Sequence, residues 1–236
     1  GLLDEAINVL DNPALHRDWK GDNSPLLSYY QGYLWNSKGD VSKTMEFLQK
    51  ASIQSPDYCF PFRLEEIEIL ETAMRLNPAD AKAPYYLGNL LFEPQSERAI
   101  EMWEKSCEID STYAMVHRNL GLAYYKTNND IPRSISSYEK AISLYSDEQR
   151  WFFELDLIYA AARADLEKRL KILTDHQEII LNNNVVDALS RQILLLVQLG
   201  RYDEALKISN SRTFPQWEGV DKMFGSYLNA YLLKGY

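Results

Sequence analysis

Basic charge is what this chain has least of. Its 25 Lys and Arg face 34 Asp and Glu, a formal net charge of −9. That balance excludes a nucleic-acid binder or a protein drawn to anionic lipid, because both require a basic footprint. Long apolar runs are missing too: no stretch approaches the ~20 residues needed to span a bilayer. The opening GLLDEAINVLDN has neither the basic region nor the apolar core of a signal peptide. Cys59 and Cys107 are the only cysteines. They are too few for a disulfide framework and have no metal-ligand spacing, so a reducing, cytoplasmic setting is expected. His16, His117 and His176 stand apart in sequence. No HExxH, CxxC, GxSxG or phosphate-loop pattern occurs, which leaves no catalytic constellation, metal site or cofactor site to expect.

Apolar residues (46%) and 16 Tyr are what the chain does have, enough for a large core with flat rings between its elements. The segment APYYLGNLLF (83–92) has helical periodicity yet keeps Gly88, and VHRNLGLAYY (116–125) repeats it thirty-three residues later with Gly121. Aligned on Leu-Gly, residues 81–113 and 114–148 form adjacent units. Ala99 and Trp103 in the first correspond to Ser134 and Tyr138 in the second. Residues 25–58 carry Gly32, Gly39-Asp40, Leu48, Ala51 and Pro56 at the same spacings, and LGRYDEALKI (199–208) is a further turn and second helix. Each unit reads as two amphipathic helices separated by Gly/Asn/Asp turn chemistry. The glycine costs about 1 kcal/mol of helix propensity. It is explained if a partner helix must come close, with Gly88 facing Ala99.

Paired helices at this period, with small residues at the glycine and alanine slots, resemble the tetratricopeptide repeat. Tyr86-Leu87-Gly88, Phe92, Ala99 and Trp103, then Leu120-Gly121, Tyr124, Tyr138 and Ala141, and finally Gly200 to Ala205 carry that resemblance. It implies an all-α, right-handed α-α superhelix of helical hairpins. The expected units are a partial one at 1–24, then 25–58, a half unit at 59–80, 81–113, 114–148, a degenerate 149–182, 183–212 and a partial 213–236. Neither end reads as a polar cap of the kind repeat arrays need, so a longer parent chain is expected. The order FPFRLEEI, APYYLGNLL, LGRYDEAL and FPQWEG also resembles the helical half of large bacterial proteins in which a galactose-mutarotase-like β-sandwich comes first. That likeness implies a carbohydrate-related setting.

Two segments break the period. In CFPFR (59–63), Phe60 and Phe62 are expected to plug the space of a missing first helix, the alternative being a binding edge made with Arg63. In TFPQWEG (213–219), Trp217 is expected to cover the end of a core. The carboxylates Glu65, Glu66, Glu68 and Glu71 fit a solvated helix face.

The working surface expected from the resemblance is the concave face lined by first helices. The candidate partner-binding residues there are Tyr29, Tyr33, Tyr85, Asn89, Phe92, Arg118, Asn119, Leu122 and Tyr125, with Lys82 among the cations. Some tetratricopeptide domains clamp a peptide carboxylate with Lys, Asn, Asn, Lys and Arg. Asn89 and Asn119 match the amides and Arg150 substitutes for the second lysine, but Tyr85 replaces the first lysine and Glu154 the arginine. The clamp is therefore not expected. The function implied is a non-enzymatic scaffold binding a protein, a peptide or another domain of the same parent chain. The alternative is an accessory glycan-binding region of a carbohydrate-active enzyme.

Overall fold

A computed structural model describes residues 1–12, 24–182, 186–211 and 221–235, and every regular element among them is a helix. His16 and the TFPQWEG segment with Trp217 lie outside the described residues. The helices are α1 Leu2–Leu10, α2 Pro25–Ser37, α3 Val41–Ile53, α4 Glu65–Leu76, α5 Lys82–Leu91, α6 Ser96–Ile109 and α7 Ala114–Lys126. After them come α8 Ile131–Leu144, α9 Gln149–Ala161, α10 Leu166–Asp175, α11 Gln177–Asn182, α12 Asp187–Gln198, α13 Tyr202–Asn210 and α14 Asp221–Lys234. They group into two compact units, Gly1–Ala123 and Tyr124–Tyr236.

The turns between paired helices repeat one piece of chemistry. Gly39, Arg163 and Gly200 take left-handed φ values of 80°, 53° and 71°. The next N–H groups, of Asp40, Ala164 and Arg201, then bond the carbonyls of Trp35, Tyr159 and Leu196 at 3.1, 2.9 and 2.8 Å. This is the helix-ending motif that satisfies orphan carbonyls and reverses the chain. Asp40 and Asp165 each begin the following helix by accepting an N–H, from Lys43 (3.0 Å) and Lys168 (3.1 Å). Asp130, after left-handed Asn129, does the same for Arg133 at 3.1 Å.

In the first unit α2 packs on α3 and α5 on α6, with α4 between the pairs against both α2 and α5. Tyr29, Leu48, Leu70, Tyr86 and Leu87 are fully or almost fully buried at this core. The glycines do mark close approaches, but their opposite neighbours differ from the sequence expectation. A Cβ on Gly88 would lie 2.5 Å from Trp103 Nε1, and one on Gly32 would lie 2.7 Å from Leu48 Cδ2. The small residue makes room for a large side chain from the second helix, Trp103 rather than Ala99. Ala99 is buried, yet it is not what a side chain at 88 would strike.

The second unit packs α9, α10, α12, α13 and α14 around Phe152, Leu155, Leu173, Leu189, Ile193 and Leu196. Its unexpected member is Asp156, in the middle of the apolar run of α9. Asp156 is 2% exposed and meets Arg169 of α10 through two bonds (Nε–Oδ1 2.8 Å, Nη2–Oδ2 3.1 Å) and Arg191 of α12 through a third (2.5 Å). A buried carboxylate is tolerable only with this degree of pairing.

Candidate interaction surface

The irregular segment 58–64, at the start of the half unit 59–80, is built opposite to the expectation of a plug. Phe60 and Phe62 do not plug a gap; they are 72% and 74% exposed, beside Tyr58 at 94% and Leu64 at 81%. Cys59 is the residue that turns in, buried at 5%, and burial pushes its thiol pKa upward. The segment is non-helical, and Cys59 alone among residues 58–64 is buried. The segment is anchored by Glu66. Its Oε2 accepts the N–H groups of Phe62 (2.7 Å) and Arg63 (2.9 Å), so Glu66 is buried at 2% instead of lying on a solvated face. Arg63 stacks over the Phe62 ring at 5.2 Å and pairs with Glu65 at 3.8 Å. Tyr58 itself sits at φ 58°, a left-handed conformation that costs a bulky side chain roughly 1–2 kcal/mol.

On the first helices, several sequence candidates come together beside Gly88. The Trp103 indole N–H reaches both Asn89 Oδ1 (3.1 Å) and the Tyr85 carbonyl (3.2 Å). Asn119 Nδ2 donates to the same Asn89 oxygen at 3.0 Å, and Arg118 donates to Asn119 Oδ1 at 3.4 Å. The Tyr85 ring packs edge-on against Tyr113 at 4.9 Å, and Phe92 lies 5.2 Å from Trp103. Burial raises the Tyr85 pKa, so its phenol stays neutral. Asn89 is thus a structural bridge whose oxygen already serves two donors.

Other candidates stand elsewhere. Tyr29 is fully buried and donates to Asp80 at 2.7 Å, so it is a core residue and cannot touch a partner. Its burial and the Asp80 carboxylate push its phenol pKa well up, and burial also raises that of Asp80. Tyr33 is half-buried and donates to Glu68 at 2.8 Å. Leu122 and Tyr125 are half-buried on α7, Tyr125 belonging to the second unit. Lys82, expected as a groove cation, donates to the carbonyl of Gln54 at the end of α3. Glu154 accepts from Arg150 (3.2 Å) and from the Tyr138 hydroxyl (3.0 Å).

The two described histidines make contacts close to their own helices. His117 contacts the Ser111 carbonyl (2.9 Å) and Cys107 Sγ (3.8 Å), and His176 contacts the Ile172 carbonyl (2.9 Å) and the Phe152 ring (4.5 Å). Among the described residues no three His, Cys, Asp or Glu side chains cluster as metal ligands, and no helix is long and apolar enough to cross a membrane.

Comparison with known proteins supports the architecture. Residues 95–128 match the family model described as TPR repeat. No curated protein matches the chain in sequence. Among solved structures, that of MamA protein is 17% identical with a TM-score of 0.53, over 89% of this chain and 93% of that one. The pilF protein of Pseudomonas aeruginosa is 16% identical with a TM-score of 0.53, over 90% and 89% respectively. At such identity the likeness is one of fold. Residues 95–128 thus carry a tetratricopeptide-type repeat, set in an all-helical hairpin architecture like that of these structures.

Proposed function

We propose that this protein is a non-enzymatic scaffold that binds another protein through the exposed edge at 58–64. The observation that carries this reading is the row Tyr58, Phe60, Phe62 and Leu64, all more than 70% exposed on one anchored segment. A contiguous row of large apolar side chains is costly to leave in water and marks an interaction site. The unfavourable backbone at Tyr58 supports it, since strain held where no packing demands it clusters at functional segments. Arg63 beside Phe62 adds the type of anchor that dominates interface energetics. The first-helix face with Tyr33, Tyr85, Phe92, Arg118, Asn119 and Leu122 offers a second, more polar contact. The partner is a separate protein or a domain of the same parent chain. The glycan-binding alternative finds no observation of its own to favour it.

The test is affinity capture with the wild type and with a triple variant, Tyr58→Ser, Phe60→Ser and Phe62→Ser. Because these side chains are exposed, the variant should keep the wild-type melting temperature while losing its partner. In the parent chain, a docked domain would protect the bonds around 58–64 from protease. An unchanged partner set together with unprotected bonds would overturn the reading.

A further inference from the structure

The exposed edge has a property that a foreign partner does not require: it is complementary to itself. The N–H groups along it are almost all spent. That of Cys59 donates to the Pro56 carbonyl at 3.2 Å, and those of Phe62 and Arg63 go to Glu66. Pro61 has none. From Cys59 to Arg63 this leaves the N–H of Phe60, and neither it nor the Phe60 carbonyl bonds a described residue. One residue, with an exposed ring, thus offers a donor and an acceptor together. Two copies related by a two-fold axis through Phe60 would exchange both bonds, as directly opposed residues of antiparallel chains do.

Charges and rings follow the same two-fold. Running the segment antiparallel to itself about Phe60 brings its Tyr58 end against its Phe62 end, ring to ring. Asp57 and Arg63 lie equally far from Phe60 on either side, both exposed and of opposite sign. Each copy's Arg63 therefore meets the Asp57 end of the other copy. Within one chain both are loosely held. Arg63 reaches Glu65 only at 3.8 Å, with both side chains 57% exposed, and Asp57 accepts from the Ser55 hydroxyl at 2.8 Å. The area is sufficient as well. At about 200 Å² per aromatic side chain, Tyr58, Phe60 and Phe62 expose roughly 480 Å² per copy. A pair thus covers about 1,000 Å² before Leu64 is counted, the lower bound of a specific interface.

We propose that the edge pairs two copies of this chain about a two-fold axis at Phe60. The proposal rests on the reading of residues 58–64 as a protein-binding edge and names its occupant. Sedimentation equilibrium of the whole chain tests it, up to roughly 500 μM, because an interface this small gives a dissociation constant on the order of 10–100 μM. The average mass should rise from 27.4 kDa towards twice that value. Arg63→Glu and Asp57→Arg should each weaken self-association about tenfold or more, since like charges then face each other across the axis. An equimolar mixture of these two variants should restore it, because every contact between unlike chains is again of opposite sign. Restoration by mixing is expected only where the occupant is a second copy. A monomer throughout the range, or a mixture no tighter than the separate variants, would overturn the proposal. Should either charge variant fail to fold, the wild-type mass and its loss in Phe60→Ser decide. If the chain stays monomeric while Tyr58, Phe60 and Phe62 still govern capture of another protein, self-pairing fails and the edge stands. If capture is also indifferent to those side chains, both readings fail.

Discussion

Gly88 and Asp80 show how single residues set limits in the first unit. At Gly88 even one methyl group would lie 2.5–2.9 Å from the Trp103 indole, whose N–H is itself committed to Asn89 and the Tyr85 carbonyl. Gly88→Ala should therefore cost about 1–3 kcal/mol in urea unfolding, despite the better helix propensity of alanine. Asp80 is buried, which raises its pKa, while its oxygens accept from Tyr29 and from the Lys82 N–H (2.9 Å). A carboxyl whose folded pKa is raised stabilises fully below the unfolded value of about 3.9, and that contribution is lost as pH rises through the folded value. Asp80→Asn keeps an acceptor for Lys82 and removes the buried charge. Its melting temperature should equal or exceed the wild type at pH 7, with the difference shrinking towards pH 4 in a thermal-shift series. Such particulars were hidden in the sequence. The glycine period was legible because a helix that tolerates glycine signals a close approach, but spacing alone could not say that an indole fills the gap. Tyr29 read as a groove residue because its helical position faced the right way; only the burial of Asp80 opposite it makes that phenol part of the core.

At the level of elements, the turns were the most legible feature and the half unit the least. Gly39 and Gly200 announce a left-handed residue, and the structure adds Arg163 to the same role at φ 53°, where glycine is preferred. Arg163→Gly should leave stability unchanged or raise it by up to about 1 kcal/mol, whereas Gly39→Ala should lower it by about 1 kcal/mol; thermal unfolding compares the two. The segment 59–63 misled because rings in an apolar stretch are ordinarily inward. What reverses it is Glu66, whose carboxylate holds the backbone of Phe62 and Arg63 and fixes Cys59 as the buried side.

For the molecule as a whole, charge and apolar surface point the same way. At a net charge of −9, with its exposed apolar row centred on Phe60 and Phe62, partner capture should survive a rise from 0.1 to 0.5 M salt, in contrast to phosphate recognition. Fluorescence anisotropy with labelled duplex DNA should show no binding at physiological salt. The second unit has one further property that neighbour-by-neighbour stacking would not provide. Repeat arrays are approximately one-dimensional and free to fray from an end. Asp156, however, is gripped at once by Arg169 and Arg191, which ties α9 to two later helices. Opening either contact strands a buried charge, and Asp156→Ala should cost about 3–5 kcal/mol. The carboxylate thus acts as a cooperativity lock. Amide hydrogen exchange in α9, α10 and α12 should proceed as one event with a shared opening free energy, and split into separate, faster steps once Asp156 is removed.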